Sequence, residues 1–343
     1  MADEVRTSPV GSSEYVDATD SSEWRKFKEG VEKENEQKRI KMEMDKLKES
    51  KKKFSKPMKG GDWVKFIILV VIALLFLVPI VLVIVNSFKS KNFILEDAFA
   101  FPNESNLPRD VDTNEIVVFG NYIWGMEDIH FLPSFINSLI VTVGSVIVLV
   151  LATSMCAWYI TRVKTWYTKL MYLLFACSMI VPFQMVMYPL AFITNQLHLD
   201  SIWGIIVIYL GFGAGLSVFM FAGFVKSVPL EIEEAAMIDG CGTIRTFFRI
   251  VFPIMKPSAI TVAILNAMWI WNDYLLPYLV LPKNDPNGLT LPVALQALRG
   301  TRGSIIMDKM MAMVVLAIIP VIIFYFACQK YIIKGVVAGA VKG

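Results

Sequence analysis

The sequence predicts an all-α membrane protein with about six transmembrane helices. Of its 343 residues, 55% are hydrophobic and 18% are charged, whereas a soluble domain has roughly 45–50% apolar and about 25% charged residues. The excess lies in runs of about 20 residues, the length that a helix needs to cross a hydrocarbon core of roughly 30 Å. The segments between these runs alternate in their content of Lys and Arg, as expected for a chain that crosses the bilayer repeatedly.

Residues 1–60 are predicted to form a charged cytoplasmic extension that is partly disordered and partly helical. Residues 1–22 are rich in Ser, Thr and acidic residues, which favours disorder. Between Trp24 and Lys53, helix-forming residues of both charges predominate, which favours a solvated helix stabilised by i,i+4 ion pairs. The lysine cluster that follows fits attraction to anionic lipid on the cytoplasmic face. The first apolar run begins too late for a signal peptide, so residues 61–343 are assigned to the membrane domain.

Six apolar segments predict the transmembrane helices in order. They lie at 66–85, 135–160, 168–192, 202–225, 258–281 and 310–333. Prolines at positions 79, 182, 189 and 277 are expected to kink these helices, because each removes a backbone hydrogen bond. The kinks would reflect either ordinary packing or helices that bend around a pathway.

Basic residues predict the orientation by the positive-inside rule. Segments 161–167 and 226–257 carry Lys and Arg and are expected in the cytoplasm together with both termini, whereas the acidic segment 86–133 and segment 193–201 are expected outside. The loop 282–309 is an exception, because it is expected outside and yet is basic. It carries Lys283, Arg299, Arg302 and Lys309.

The segment 226–257 predicts two short helices joined by a turn. Ser227 is suited to cap the first helix, and Pro229 is suited to its first turn. Asp239-Gly240 forms a stop signal. Thr243 is expected to cap a second helix that ends before Pro253.

The residues of this segment leave two interpretations open. The helix pair could rest on the bilayer interface with its apolar side. Alternatively, Ala235 and Ala236 could form a low face that another protein approaches closely, with apolar contacts from Ile232, Met237 and Ile238.

The same segment resembles the EAA motif of the permease subunits of binding-protein-dependent ABC importers, and we call residues 226–257 the EAA loop. That motif consists of Glu-Ala-Ala, three residues, Gly, nine residues, Ile, one residue and Leu-Pro. The chain matches it at Glu234, Ala235, Ala236, Gly240, Ile250 and Pro253, with Asp239 before the glycine and Phe252 where Leu is usual. The resemblance implies the type I ABC importer permease fold and a coupling helix that docks in a cleft of an ATPase subunit. Glu234 would be the charged contact, and Gly240 would form the turn.

Two further stretches resemble the carbohydrate branch of these permeases, which includes the maltose- and oligosaccharide-type proteins. They are residues 269–274 and the C-terminal residues 334–343. The resemblance covers roughly residues 66–343 and implies a sugar substrate, an external solute-binding protein, two ATPase subunits and a second permease subunit. Another small solute remains the alternative substrate. Residues 1–60 and the outer loop near 101–128 inherit no role.

Two groups of residues are candidates for contact with the substrate and with the external partner. Trp269, Trp271, Asn272 and Asp273 are candidates for the translocation path, since an ionisable residue within a span usually faces the bundle interior or water and Trp and Asn suit a sugar. Asp273 could instead only brace two helices. Arg299 and Arg302 are candidates for the binding-protein contact, because the corresponding loop of maltose-type permeases meets that protein. They could instead bind lipid phosphates.

Other functional classes fit the sequence less well. No segment matches the phosphate-binding loop of ATPases, so the chain is expected to be a transport subunit and ATP hydrolysis to belong to a partner. No metal site is predicted, since the cysteines and the two histidines lack ligand-like spacing. No catalytic residue, cofactor or nucleic-acid partner is predicted either. An ion-coupled secondary transporter should carry several intramembrane charges and internal repeats. A scaffold acting through residues 1–60 would leave the EAA loop unexplained.

Overall fold

The computed structural model describes residues 36, 41, 42, 44, 45, 60–282, 284–298 and 306–340. The helices in this part of the chain are α1 Gly60–Asn86, α2 Lys91–Glu96, α3 Gly120–Asp128, α4 Phe131–Arg162, α5 Trp166–Ser178, α6 Phe183–Gln196, α7 Ile202–Val225, α8 Leu230–Ile238, α9 Thr243–Thr246, α10 Phe252–Ile254, α11 Lys256–Asn272, α12 Leu275–Val280, α13 Leu291–Ala294 and α14 Met307–Ala340. A π-helical turn at Phe247–Val251 joins α9 to α10. The described residues form no strand, and their one isolated β-bridge pairs Arg109 with Ile116.

Six residues of the predicted N-terminal extension are described, and the last of them, Gly60, begins α1. Residues 36, 41, 42, 44 and 45 are helical and exposed, and the helix between Trp24 and Lys53 stays a prediction. The remainder of that prediction lies outside the described residues.

The helices confirm the predicted class of an all-α membrane protein. Four described helices are long and apolar enough to cross a bilayer, namely Gly61–Asn86, Phe131–Arg162, Ile202–Val225 and Met307–Tyr331. Two bent helix pairs bring the number of spans to six if each pair counts as one. The predicted spans at 66–85, 135–160, 202–225 and 310–333 lie within α1, α4, α7 and α14, respectively.

The predicted span at 168–192 is two helices rather than one. Helices α5 and α6 meet at an angle of 105° across residues 179–182. Pro182 has extended backbone angles and precedes the first residue of α6, and its ring leaves no N–H to continue the ladder of α5. The second proline of this segment, Pro189, lies inside α6 without ending it.

The predicted span at 258–281 also ends earlier than expected. Helix α11 stops at Asn272, and Asp273 takes an extended conformation with ψ 123°. One Asp273 carboxylate oxygen accepts a hydrogen bond from the backbone N–H of Leu275 at 3.0 Å, and a new helix, α12, begins there. Asp273 therefore lies at a helix break. The sequence had placed it in the interior of a continuous helix, and that prediction was wrong.

The helix boundaries within the EAA loop differ from the predicted ones in three places. Helix α8 begins after Pro229, while the Ser227 hydroxyl donates to the carbonyl of Phe224 and caps nothing. Gly242, not Thr243, precedes the first residue of α9. Pro253 lies inside the continuous helical stretch Thr243–Ile254, and the helix runs past it to Ile254 instead of ending before it.

The core of the membrane part is the contact between α4 and α7. Helix α4 buries a row of small polar residues, and Gly213 of α7 packs against Leu149 of α4. A Cβ atom at Gly213 would lie 2.7 Å from a methyl group of Leu149, so a larger residue there would force the Leu149 side chain to shift. Small residues let membrane helices pack closely where lipid provides no hydrophobic drive. At the end near the EAA loop, Val218, Phe221 and Phe247 complete the packing.

Candidate functional site

The first helix of the EAA loop is fixed to the membrane part through one buried carboxylate. Glu233 of α8 is 1% exposed. Its Oε1 accepts two hydrogen bonds from the Arg162 guanidinium, from Nε at 3.0 Å and from Nη2 at 2.7 Å. Its Oε2 accepts the indole N–H of Trp158 at 2.9 Å. Both carboxylate oxygens of Glu233 are therefore occupied by donors from the last two turns of α4.

Arg162 also holds the chain that leads into α8. Its Nη2 donates to the backbone carbonyl of Val228 at 2.9 Å. The side chain is 19% exposed, so the ion pair with Glu233 lies near the surface of the packed region. Arg162 thus connects the end of α4 with both the entry and the first turn of α8.

The opposite side of α8 is open. The motif residues Glu234 and Ala235 are exposed, whereas Ala236 is buried, with only 5% of its surface exposed. The low-face interpretation placed the two alanines on one face, whereas in the structure they lie on different faces. Met237 is 51% exposed and Ile238 is 86% exposed, which leaves an apolar surface beside the Glu234 carboxylate.

The turn between α8 and α9 depends on glycine at position 240. Gly240 has φ +80°, in the left-handed region that glycine adopts without a steric cost. Asp239 ends α8, and its N–H donates to the carbonyl of Ala235 at 3.0 Å. The turn leaves Asp239 and Gly240 exposed at the tip of the loop.

The second half of the EAA loop packs back onto the membrane part. Phe247, Val251 and Met255 are fully buried, and the Phe247 ring lies 5.4 Å from the Trp158 ring, centroid to centroid. Of the motif residues, Ile250 is half-buried and Pro253 is exposed. Ile244 and Phe248 remain exposed and extend the apolar surface of α8.

The four candidate path residues divide between two sides of α11. Asp273 accepts a hydrogen bond at its Oδ2 from the Tyr209 hydroxyl of α7 at 2.9 Å. The Tyr209 ring stands edge to face with the Trp269 ring, with centroids 5.5 Å apart. Trp269, Tyr209 and Asp273 thus form one polar and aromatic cluster.

Trp271 and Asn272 belong to a different surface. The Trp271 ring packs edge to face against Phe135 of α4 with centroids 5.8 Å apart. Asn272 is exposed and donates to the carbonyl of Met268. Both residues line a cavity of about 380 Å³ with almost entirely apolar walls from α4, α11 and α14. The structure therefore does not bring the four predicted path residues together.

The segment 284–298 is tied to the first turns of α4. The Asn137 amide donates to the carbonyls of Asn287 at 2.6 Å and Leu289 at 3.0 Å. The Ser138 hydroxyl accepts the N–H of Leu291 at 2.7 Å. Residues 291–298 form a short helix, α13, followed by a 3-10 turn. Arg299 and Arg302 lie outside the described residues.

A buried lysine braces the segment that follows α1. Lys89 is completely buried, and its ammonium donates to the carbonyls of Asp97 at 3.1 Å and Ala98 at 3.4 Å. Burial lowers the pKa of Lys89, and the nearby Asp97 carboxylate opposes that shift.

Four residues of these clusters were missed from sequence, namely Trp158, Arg162, Tyr209 and Glu233. Arg162 entered only as one of the basic residues of segment 161–167 that predict the orientation, and Glu233 lies beside the motif residue Glu234 without belonging to the motif. A buried role could have been sought in the pair Glu233-Glu234, because adjacent residues on a short helix point to different sides.

Comparison with known proteins gives a consistent picture. A family described as the inner membrane component of binding-protein-dependent transport systems matches residues 149–337. The chain is 37% identical to the probable starch degradation products transport system permease protein AmyC of Thermoanaerobacterium thermosulfurigenes, over 80% of this chain and 94% of that protein. It is 34% identical to the multiple sugar-binding transport system permease protein MsmG of Streptococcus mutans serotype c, over 81% and 96%.

Solved structures share the fold. A bacterial ABC transporter involved in the import of the acidic polysaccharide alginate contains a chain that matches with a TM-score of 0.64 at 22% identity, covering 81% of this chain and 99% of that one. A second structure, the alginate transporter in complex with a pentasaccharide-bound periplasmic protein, matches with a TM-score of 0.55 at 15% identity, covering 78% and 93%.

Proposed function

Since the chain belongs to the family of inner membrane components of binding-protein-dependent transport systems, we propose that it is the permease subunit of an ABC importer for a mono- or oligosaccharide. The chain itself is a transport subunit and a multi-pass membrane protein. The names of its relatives AmyC and MsmG support a sugar as the substrate. The observation that carries the proposal is the divided EAA loop, with one face fixed inside the protein and the other exposed.

The exposed face of the EAA loop is proposed to dock onto a separate ATPase subunit. Exposed Met237, Ile238 and Ile244 supply apolar contact area around the Glu234 carboxylate. A large exposed apolar patch with a polar rim is typical of an interaction site. Closure of the ATPase subunits on ATP would move this loop and change the side to which the membrane helices open.

The proposed orientation places the EAA loop and both termini in the cytoplasm of a prokaryotic cell. The basic side chains of the loop are exposed, as the positive-inside rule expects near a cytoplasmic membrane surface. They are Lys226, Arg245, Arg249 and Lys256. The opposite end of α4, with segment 284–298, then faces outward.

Three further partners complete the proposal. A second permease subunit would complete the membrane part, and an external solute-binding protein would deliver the sugar to the outer side. The complex of a related transporter with its periplasmic protein supports the latter. The outer loop 282–309, with Arg299 and Arg302, is proposed to meet that protein. Lipid surrounds the exposed apolar faces.

The cluster of Tyr209, Trp269 and Asp273 is proposed to border the translocation path. Trp269 is 43% exposed, and Asp273 is half-buried beside it. An aromatic face next to a carboxylate offers a sugar both an apolar surface and a hydrogen-bond acceptor. Trp271 and Asn272, which line the apolar cavity, are proposed to border the path from the other side of α11.

The proposal is tested by purifying the tagged chain from its native membrane and measuring ATP hydrolysis of the complex in proteoliposomes. The wild-type chain is expected to retain ATPase subunits. Glu234→Lys is expected to lose them, with roughly a tenfold drop in hydrolysis, because it reverses the charge at the centre of the exposed face. Glu127→Lys, an equally exposed charge reversal in α3, serves as the matched control and should retain full activity.

Sugar transport is measured in parallel as uptake of radiolabelled maltotriose and raffinose. Uptake of one of them by wild-type vesicles supports the substrate class. A wild-type chain that purifies without any ATP-hydrolysing subunit, or a Glu234→Lys variant that keeps full hydrolysis, would contradict the docking assignment.

A further inference from the structure

Helix α4 is attached at its two ends to the two loops that the proposed function assigns to opposite sides of the membrane. At one end, Arg162 and Trp158 hold the Glu233 carboxylate of the EAA loop. At the other end, Asn137 and Ser138 hold the backbone of segment 284–298. These side chains therefore form direct polar contacts between α4 and both loops.

The helix between these attachments is built to move as one piece. The distance from Asn137 to Arg162 is 25 residues, which corresponds to about 38 Å of helix at 1.5 Å per residue. Pro133 lies in the first turn of α4, before the attachments, where proline does not bend a helix. By contrast, α1, α6 and α14 each contain an internal proline.

The contacts of Arg162 and Trp158 with Glu233, which form the inner attachment, fix the orientation of α8 relative to α4 as well as its position. Two guanidinium nitrogens converge on one oxygen of Glu233, and an indole N–H occupies the other. A planar guanidinium fixes the geometry of a carboxylate in a way that the compact ammonium of lysine does not. A displacement of α8 would therefore shift or break several hydrogen bonds to α4 at once.

We infer that α4 is the strut that transmits movement of the EAA loop to the outer segment 284–298, and that Arg162 is the positioning residue at its inner end. The inference rests on the proposed function, because it assumes that an ATPase moves the EAA loop. Movement of the EAA loop would pass through the contacts of Arg162 and Trp158 with Glu233 to α4, and from α4 through Asn137 and Ser138 to segment 284–298. Arg162 contacts neither ATP nor sugar in this scheme and acts through Glu233.

The route is tested by the accessibility of a cysteine at Asn287, whose side chain is exposed and whose backbone carbonyl receives the Asn137 bond. The four native cysteines are replaced by serine, and the purified complex is labelled from outside with an impermeant maleimide. ATP with vanadate, which traps the ATPase subunits closed, is expected to change the labelling rate in the otherwise wild-type protein. Arg162→Gln is expected to reduce that change roughly fivefold, a typical coupling factor between sites.

Matched variants separate positioning from general stability. Lys164→Gln removes an exposed charge two residues away and should leave the response unchanged. Arg162→Lys should give an intermediate response. ATP hydrolysis and retention of the ATPase subunits should stay within about twofold of wild type for all three variants. A purely structural defect would lower the amount of active complex, but it would not change the ratio of the labelling rates with and without ATP and vanadate.

Milder variants keep the test decisive if Arg162→Gln fails to assemble. Trp158→Phe removes only the indole donor, and Asn137→Ala removes the two Asn137 hydrogen bonds of the outer attachment while keeping that of Ser138. Each variant should also weaken the response. Full responses in both variants would refute the strut. A wild-type protein with normal subunits that does not respond to ATP and vanadate would refute the proposed function instead.

Discussion

Two carboxylates of this protein, Glu233 and Asp273, lie in similar surroundings but have different partners. Glu233 is buried and Asp273 is half-buried, and each accepts a hydrogen bond from an aromatic side chain, Trp158 or Tyr209. Glu233 also forms an ion pair with Arg162. Asp273 forms no salt bridge among the residues that the structure describes, and its other acceptor oxygen receives the backbone N–H of Leu275.

The difference separates a carboxylate that is used up by the fold from one that keeps capacity for a ligand. A carboxylate has about four acceptor positions. Both oxygens of Glu233 are engaged by rigid donors and the side chain is buried, so no room remains for a substrate. Asp273 is half-buried beside an exposed tryptophan, so a hydroxyl group could reach it. The charge of an ionisable residue inside a membrane protein usually has a partner or a function.

The largest effect is expected for Glu233→Ala. The substitution leaves the Arg162 guanidinium without its counter-ion, and breaking a buried ion pair on one side costs about 3–5 kcal/mol. Thermal unfolding of the protein in detergent should therefore occur at a clearly lower temperature. Glu231→Ala, an exposed residue of the same helix, is the control and should unfold within about 0.5 kcal/mol of wild type. Equal stability of the two variants would show that the Glu233 contacts contribute little.

A smaller but more specific effect is expected for Asp273→Asn. Asparagine keeps the shape and the bond from Tyr209, but it removes the charge and one acceptor. Sugar uptake is expected to fall roughly tenfold, about 1.4 kcal/mol of binding, with little change in the unfolding temperature. A parallel loss of uptake and stability would instead indicate that Asp273 only braces α7 against α11.

The smallest effect is expected for Tyr209→Phe. This variant removes one hydroxyl donor and leaves a partly hydrated carboxylate oxygen, which costs about 1 kcal/mol in stability. Uptake should remain closer to wild type than in Asp273→Asn, since the carboxylate itself is kept. An uptake defect as large as that of Asp273→Asn would show that Tyr209 orients the carboxylate for the substrate, which would sharpen the comparison.

The sequence predicted the helical membrane class and the EAA loop because both follow from local patterns. Runs of apolar residues identify spans, and the spacing from Glu234 to Pro253 identifies the loop. It predicted a kink at Pro182 but not the break into two helices that meet at 105°. It did not predict the break at Asp273 either, because prolines and short polar residues are compatible with both kinked and broken helices. Nor did it pair Arg162 with Glu233, since that contact joins residues 71 positions apart.

The π-helical turn at Phe247–Val251 has a consequence for the relation between the EAA loop and the membrane. Such a turn holds more residues than an α-turn and is usually a single-residue expansion of an ordinary helix. Each residue of an α-helix rotates the chain by about 100°, so the extra residue sets the angle at which α8 and α9 face away from α11. Deleting one residue from 247–251 would restore a regular helix and turn the exposed face of the loop away from its present direction. The length of this turn therefore determines the orientation of the exposed face of the EAA loop relative to α11.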